Sequence, residues 1–218
     1  MTLFARYYDD RSKLIEISMD EIEDLIKGEQ NKQAIANAIY HRYYDRYLKL
    51  FSYSDQQTQK YIKKVGGKDT ELSLNVFNEE YKSGFSMMAN CCLLIEAFST
   101  FLEGQNSSTK PGKETFKLFF KKAGAYDNPL KIFEKEETFY KNVRCGLLHQ
   151  GETYGKFKIR RDTSLFDAVN RTINAKLFCD SLKNFLINYS NELTNADWAD
   201  DIWDKCRIKL RHIIQNSR

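Results

Sequence analysis

The fold is decided by residues 75–104, NVFNEEYKSGFSMMANCCLLIEAFSTFLEG, which form the most apolar stretch of the chain. A helical projection at about 100° per residue gathers most of the large apolar side chains on one broad face. That face holds Met87, Met88, Cys91, Leu94, Ile95, Phe98, Phe101 and Leu102. The opposite half mixes polar side chains with Ala89, Cys92, Leu93 and Ala97. Such a helix is typical of the centre of a bundle, or of a helix whose back packs against a partner.

Helical patterns continue on both sides of this segment. Ser18 and Glu21 have the spacing of a capping box, which predicts a short helix that begins after Ser18. Asn128 followed by Pro129 predicts the start of a helix that runs to His149. Two more amphipathic patterns follow towards the C-terminus. We therefore predict an all-α helical bundle, with one small β-hairpin after the helix that ends at His149.

The composition is that of a globular protein. Hydrophobic residues make up 42% and charged residues 29%, and only two prolines interrupt the chain, so we expect it to fold. Its 218 residues are enough for one sizeable core. We assign residues 1–70 to an N-terminal helical extension and residues 71–218 to the main bundle, and we expect them to form one continuous compact unit. The net charge of +4 is too small to indicate a class of partner.

The apolar segments and the cysteines of the sequence indicate where the protein is located and whether it binds a metal. The longest apolar candidate, CCLLIEAF, is interrupted by Glu96 and is shorter than the roughly 20 residues of a membrane span. The N-terminus has no secretory signal pattern, so we expect a cytoplasmic protein. The five cysteines are an odd number without C-x-x-C spacing. We expect reduced thiols, and we predict no metal site and no cofactor.

Common catalytic motifs are missing, which directs attention to histidine. There is no glycine-rich phosphate loop, no H-E-x-x-H and no serine nucleophile elbow. Histidine titrates near neutral pH, and of the three in the chain His41 and His212 lie inside amphipathic helices among basic residues. His149 lies instead at the end of a helix, in FYKNVRCGLLHQG (residues 139–151), five positions after Arg144.

Arg144 and His149 do not face each other on an ideal helix. They would be about 140° apart around the axis and about 7.5 Å apart along it. A chemical pair therefore requires the helix to distort near Gly146, or a second subunit to complete the site across a two-fold axis.

At these residues the chain resembles the HEPN superfamily, the helical "higher eukaryotes and prokaryotes nucleotide-binding" domains. Many members carry an R-x4-6-H motif at the end of a core helix, and RCGLLHQG (residues 144–151) matches it with four intervening residues. The resemblance covers the helical pattern from about residue 75 to 190 and is specific only over this short stretch. It implies an HEPN-like bundle and a metal-independent endoribonuclease, a homodimer in which both motif copies face one RNA-binding cleft.

The resemblance also implies roles for individual side chains. His149 would exchange a proton with the ribose 2′-OH or with the leaving 5′-oxygen. Arg144 would hold the scissile phosphate through paired N–H donors. Such 2′-OH attack leaves a cyclic phosphate and cannot occur on DNA. Glu96 stands where the family often places a further acidic or polar residue that contacts the motif. The alternative for Glu96 is an exposed helix glutamate.

The residue after the arginine departs from the family pattern. Many active members have Asn, Asp or His there, whereas this chain has Cys145, whose thiol is a weak hydrogen-bond partner. The polar role is therefore dispensable or activity is reduced. Tyr140 and Asn142 lie within one turn of Arg144 and are candidates to orient it. Ordinary core and surface roles are the alternatives for both.

A basic strand-like segment follows the motif. In GKFKIRR (residues 155–161), Lys156, Lys158 and Arg160 alternate with apolar residues, which predicts a strand with a basic face. That face would contact RNA phosphates. The alternative is the solvated face of a hairpin.

Two functions from different classes remain open. The first is an HEPN-type ribonuclease, which the resemblance places in a bacterial defence or toxin–antitoxin setting with an antitoxin as a possible protein partner. The second is a non-catalytic helical module that binds a nucleotide, RNA or protein, in which Arg144 and His149 only tie down a helix end.

Overall fold

A computed structural model describes residues 2–52, 83–107 and 112–217 of the chain. These residues are mostly helical and also form two small β-sheets. The strands are β1 (Leu3–Tyr8), β2 (Leu14–Ser18), β3 (Lys158–Arg160), β4 (Phe166–Asp167) and β5 (Thr172–Asn174). The α-helices are α1 (Met19–Lys27), α2 (Lys32–Tyr47), α3 (Gly84–Glu103), α4 (Gly112–Ala123), α5 (Gly146–Gln150), α6 (Ala175–Asn195) and α7 (Asp201–Gln215). Two 3₁₀ segments, Lys49–Phe51 and Asn128–Lys135, and a π-helical segment, Tyr140–Cys145, complete the described elements.

Helix α3 is the centre of a helical bundle. It packs against α2, α4, α6 and α7. The apolar face predicted from the sequence is buried, and Cys92 on its back is also fully buried. The ring of Phe98 meets Tyr43 of α2 and Phe185 of α6 edge-on, with centroids 5.1 and 5.2 Å apart. The prediction of a helical bundle is confirmed. The start of the predicted helix, residues 75–82, lies outside the described residues.

Helix α3 is also the one described helix that could cross a bilayer by length and composition alone. It is nevertheless largely enclosed by protein, since 61% of its apolar window is buried among the other helices. Glu96 in its middle is paired with Arg144. Burial of this kind is consistent with a soluble protein.

The N-terminal region differs from the predicted helical extension, because it begins with a β-hairpin. Strands β1 and β2 pair antiparallel, with Tyr7 opposite Ile15. The connecting turn is held by Asp9, whose Oδ1 accepts hydrogen bonds from the amides of Arg11 and Lys13 at 3.0 and 2.8 Å. Residues 3–8 and 14–18, LFARYY and LIEIS, are rich in the aromatic and branched side chains that favour strands. That enrichment is the signal from which the hairpin could have been predicted.

The hairpin leads directly into α1. The Ser18 Oγ accepts a hydrogen bond from the Glu21 amide at 3.0 Å, so the predicted cap is confirmed. One continuous hydrophobic core runs from Phe4 in β1 to Ile214 in α7. The predicted boundary at residue 70 lies outside the described residues.

The single helix predicted from Pro129 to His149 is wrong, because the segment divides into a 3₁₀ helix, a π-helical segment and α5. The Thr138 amide donates to the Glu136 carboxylate at 3.0 Å and holds the first break. The break has a packing cause. Phe133 and Phe139 would lie about 120° apart around the axis of a continuous α-helix. Both are buried, with ring centroids 5.5 Å apart, so the backbone must depart from α-helical geometry between them.

The predicted strand after the motif is present, but its pairing differs from the predicted hairpin. Strand β3 pairs in parallel with β5, and the antiparallel partner of β5 is β4, which gives the order β3-β5-β4. Lys156 lies before the strand in a turn with φ of 64°. Asn174 ends the sheet and begins α6, because its Oδ1 accepts from the Leu177 amide at 3.0 Å.

Candidate functional site

Arg144 and Glu96 form the centre of the candidate site, although 48 residues separate them in the chain. Arg144 donates from Nε to Glu96 Oε1 at 2.9 Å and from Nη2 to Oε2 at 3.0 Å. This is the bidentate geometry that makes arginine–carboxylate pairs strong and directional. The side chains are 17% and 26% exposed, so the pair is largely withdrawn from water while one edge remains open. The pair joins the middle of α3 to the π-helical segment.

His149 meets the free edge of the same guanidinium. Its Nε2 lies 3.1 Å from Arg144 Nη1, and its side chain is exposed. Arg144 lies in the π-helical segment and His149 in the α-helical turn that follows. A π turn contains an extra residue, so the angular offset of an ideal α-helix no longer applies. One chain therefore brings the two side chains together, and a second subunit is not needed for their contact.

The glycine between them permits a close backbone approach. A Cβ on Gly146 would lie 2.3 Å from the carbonyl oxygen of Glu152, because the chain turns back over α5 after Gly151. Gly151 makes this reversal with a left-handed φ of 71°. The sequence-based expectation that the helix would distort near Gly146 agrees with this geometry. Gly146 itself keeps helical dihedrals, with φ of −58° and ψ of −55°, so glycine is required there by the packing of the returning chain.

Asn142 supports the returning loop and lies beneath it. The residue is 8% exposed, and its backbone carbonyl accepts a hydrogen bond from the Tyr154 amide at 2.8 Å. A Cβ on Gly155 would lie 2.6 Å from Asn142 Nδ2, so the loop packs directly on this side chain. Asn142 thus holds the loop after the motif in place.

Tyr140 and Cys145 border the arginine. The Arg144 guanidinium carbon lies 5.6 Å from the centre of the Tyr140 ring, a distance suited to a cation–π contact. Burial and a side-chain hydrogen bond with Cys145 raise the pKa of Tyr140, and the nearby charge of Arg144 opposes that rise. Cys145 therefore contacts Tyr140, which in turn lies against the arginine.

Protonation at the site follows from these contacts. The hydrogen bonds to Glu96 raise the pKa of Arg144, so the guanidinium is charged throughout the physiological range. Nε and Nη2 each use an N–H on Glu96, and one on Nη1 faces His149. The second hydrogens of Nη1 and Nη2 remain available to an incoming oxyanion. The contact with His149 is a hydrogen bond when Nε2 carries a lone pair, that is, in the Nδ1-protonated neutral imidazole.

Cys92 is a neighbour that the sequence analysis does not predict as part of the site. It lies one helical turn before Glu96, and burial and the Glu96 charge raise its pKa, whereas Arg144 lowers it. The four-residue spacing from Glu96 on α3 is the signal that places it there. Its thiol is fully buried and close enough to the ion pair for both charges to affect it.

The basic residues of β3 do not lie next to the Arg144–Glu96 pair. Lys158 and Arg160 are exposed on β3, and Ile159 between them packs on Gly84 at the start of α3. Glu96 lies twelve residues further on, which is roughly 18 Å along the helix. The side chain of Arg160 forms hydrogen bonds with Asp162 at 3.2 and 3.1 Å. With Lys156 outside the strand, the predicted basic face with period two is reduced to Lys158 and Arg160.

The described ranges contain no cluster of three or more His, Cys, Asp and Glu side chains placed to bind a metal ion. Comparisons with family models, with curated proteins and with solved structures found no match to this chain. The function is therefore argued from the site itself.

Proposed function

We propose that this protein is an HEPN-type, metal-independent endoribonuclease that acts as a homodimer. The observation that carries the proposal is the contact of Arg144 with both Glu96 and His149 at an open edge of the bundle. A fixed cation and an imidazole 3.1 Å apart are the two groups that 2′-OH attack on a phosphodiester requires.

Each side chain has a defined task in this reaction. Glu96 orients the guanidinium and leaves one N–H on each terminal nitrogen for the non-bridging phosphate oxygens. Nε2 of His149 accepts the proton of the 2′-OH once its ring turns from Arg144 Nη1 towards the ribose. The O2′–P bond forms as the P–O5′ bond breaks, the leaving 5′-oxygen takes up a proton from solvent water, and a 2′,3′-cyclic phosphate remains.

The homodimer is supported by exposed apolar side chains beside the site. Phe85 and Leu93 of α3 are 39% and 40% exposed. With Ala89 they share a sector of about 80° with Glu96 on the helical projection. A second copy packed on this face would bring two Arg144–His149 pairs towards one cleft. Leu93→Glu should shift the protein from dimer to monomer in light-scattering measurements, whereas Leu177→Glu, at an equally exposed leucine of α6, should leave the dimer intact.

The setting of the enzyme is part of the same proposal. The HEPN resemblance favours a cytoplasmic RNA target and a bacterial defence or toxin–antitoxin system, in which a protein antitoxin would cover the site. Lys158 and Arg160 remain candidates to contact RNA further along the surface, since both are exposed.

The decisive experiment is RNA cleavage in the presence of excess EDTA. Wild-type protein should cut end-labelled single-stranded RNA and leave a 2′,3′-cyclic phosphate that mass spectrometry detects, and it should not cut the 2′-deoxy analogue. Arg144→Ala and His149→Ala should each reduce the rate by about a thousandfold or more. Arg6→Ala, at an exposed position, and His212→Ala, at a half-exposed one, are matched controls away from the site and should retain the wild-type rate.

One observation favours the second candidate, a non-catalytic module. The same contacts that position Arg144 also tie α3 to the end of the motif segment, which is a structural role in itself. Protein that leaves RNA intact in both EDTA and Mg²⁺, but loses thermal stability on Arg144→Ala, would establish that candidate in place of the ribonuclease.

A further inference from the structure

A second site lies at the N-terminal hairpin and does not depend on the proposed ribonuclease activity. A pocket of about 630 Å³ opens between the β1–β2 turn, α2 and α6. Pockets that hold small organic ligands usually measure about 300–1,000 Å³. None of the site residues around Arg144 lines it.

The charge of the lining is unusual for this protein. Lys and Arg outnumber Asp and Glu in the chain, 34 to 30, yet the described lining contains Asp9 and Asp10 and neither lysine nor arginine. Asp9 is fixed by its hydrogen bonds to the turn amides, which hold the exposed Asp10 at the mouth. The electrostatic potential of such a pocket favours a cation.

The walls add aromatic surface to this negative charge. The ring of Tyr7 stacks on His41 with centroids 3.8 Å apart, and Tyr40 meets His41 edge-on at 5.0 Å. Tyr8 is 65% exposed at the rim. The faces of aromatic rings attract cations, and their apolar bodies accept an alkyl chain. The negative charge and the aromatic surface together suit a ligand that has both a positive charge and an alkyl chain.

Tyr40 and His41 of the walls remain neutral near pH 7. Burial, with the neighbouring Tyr44 and Asp45, raises the pKa of Tyr40 to about 12. Burial lowers the pKa of His41, and Lys49 adds to that effect, while Asp45 and Asp10 oppose it. The imidazole therefore does not supply the missing positive charge, and the two carboxylates keep an uncompensated field within the pocket.

We propose that this pocket binds an alkylammonium cation, as either a free polyamine or the side chain of a lysine. The ammonium lies between the Asp9 and Asp10 carboxylates, and the methylene chain runs along Tyr7 and Tyr40. Gln33, Asn37 and Ser190 also line the pocket, and their side-chain oxygens are of the kind that accepts N–H groups, although Asn37 Oδ1 already accepts from Gln33 Nε2 at 2.8 Å. A compact metal ion would leave the aromatic walls unused, because hard cations prefer a shell of oxygen ligands.

The test is calorimetric titration of the full-length protein with spermidine and, separately, with Nα-acetyl-lysine amide. Saturable binding at one site per chain is expected for the physiological source, and the tighter of the two ligands identifies that source. The neutral analogue 1,4-butanediol should not bind. Asp10→Asn and Tyr40→Ala should each weaken binding tenfold or more, whereas Glu114→Gln, which removes an exposed carboxylate from α4, should not.

Folding of each variant is checked by its thermal unfolding curve, and Tyr8→Ala serves as a second rim variant if Tyr40→Ala does not fold. Absence of saturable binding of both amines overturns the proposal. It is equally overturned if Asp10→Asn binds as tightly as wild type, or if the diol competes with spermidine. Because His149→Ala should bind spermidine normally, failure of the ribonuclease proposal and failure of this one are distinguishable.

Discussion

The motif site and the hairpin pocket are built from similar side chains and differ in one respect. Each combines carboxylate, tyrosine and histidine, namely Glu96, Tyr140 and His149 at the motif. The pocket uses Asp9 and Asp10 with three tyrosines and His41. Only the motif site contains its own cation, Arg144.

This difference determines what each site can accept. At the motif, Glu96 neutralises Arg144 and fixes its direction, so the remaining N–H groups are presented to an oxyanion. In the pocket the carboxylates have no lysine or arginine partner among the lining residues, so a cation must come from outside. Similar residue types therefore lead to opposite ligand preferences, and each of the following changes tests that contrast.

The largest effect is expected when the guanidinium of Arg144 is replaced by an ammonium. Arg144→Lys keeps the charge but loses the planar fork that contacts Glu96 through two nitrogens. RNA cleavage should fall by about a hundredfold, which corresponds to about 2.7 kcal/mol in transition-state stabilisation. The measurement is the single-turnover cleavage rate. Lys131→Arg, an exchange at an exposed position, is the control, and an unchanged rate for Arg144→Lys would contradict the bidentate role.

A somewhat smaller effect is expected from the backbone that brings Arg144 and His149 together. Gly146→Ala places a methyl group 2.3 Å from the Glu152 carbonyl, where no flexible side chain can yield. The free energy of unfolding should decrease by about 2 kcal/mol, as overpacking typically does. Urea denaturation measures it.

The matched change is Gly151→Ala, where a methyl group meets nothing within 4 Å and only the left-handed φ of 71° opposes it. Its cost should be about 1 kcal/mol. A larger loss at Gly151 than at Gly146 would show that backbone freedom, not close packing, governs this turn.

The difference in ligand preference between the two sites should decrease if a substitution introduces a cationic side chain into the pocket. Asn37→Lys places an ammonium among the lining residues, within reach of the two carboxylates. Spermidine affinity should fall about tenfold, because the internal ammonium competes for the same field. Calorimetric titration is again the measurement. Asn188→Lys on α6, outside the pocket, should leave the affinity unchanged.

The smallest effect is expected in the pH dependence of stability. Because burial lowers the pKa of folded His41, the unfolded chain binds the proton more tightly, and stability should decline as the pH falls below the ordinary histidine value of about 6.5. His41→Gln should make the unfolding temperature less sensitive to pH between about 6.5 and 5. His212→Gln, at a half-exposed position of α7, should retain the wild-type slope. Equal slopes for His41→Gln and wild type would contradict the effect of burial.

The predictable parts of this protein share a local physical cause. The apolar face of α3 follows from helical periodicity, and the Ser18 cap follows from a hydrogen bond that spans three residues. The hairpin of β1 and β2 was accessible from its aromatic and branched residues but was missed. At the site, Arg144 and His149 are predicted from the resemblance of residues 144–151 to a family motif, since ideal helical spacing would hold the two side chains about 140° apart.

The remainder depends on contacts between distant residues. The break between Phe133 and Phe139 arises because both rings are buried in one core, which no local pattern reveals. The partner of β3 is β5, reached only after the chain has passed through β4. The position of Glu96 on a helix is compatible with an exposed glutamate and with a carboxylate that contacts the motif. Its hydrogen bonds to Arg144 show that it is a paired carboxylate.

By itself the sequence of this protein determined a helical bundle around residues 84–103 and a demand with two solutions, a helix that distorts near Gly146 or a second subunit that completes the site. Only the tertiary structure decided how that demand is met, because the π-helical segment is stabilised by the packing of Asn142, Gly146 and Gly155 with the returning loop. The pocket at the hairpin likewise exists only after β1, α2 and α6 have assembled. Periodicity within one segment predicts which face of a helix or strand a side chain occupies. The side chains that pack against that face, and their charges, belong to other parts of the chain.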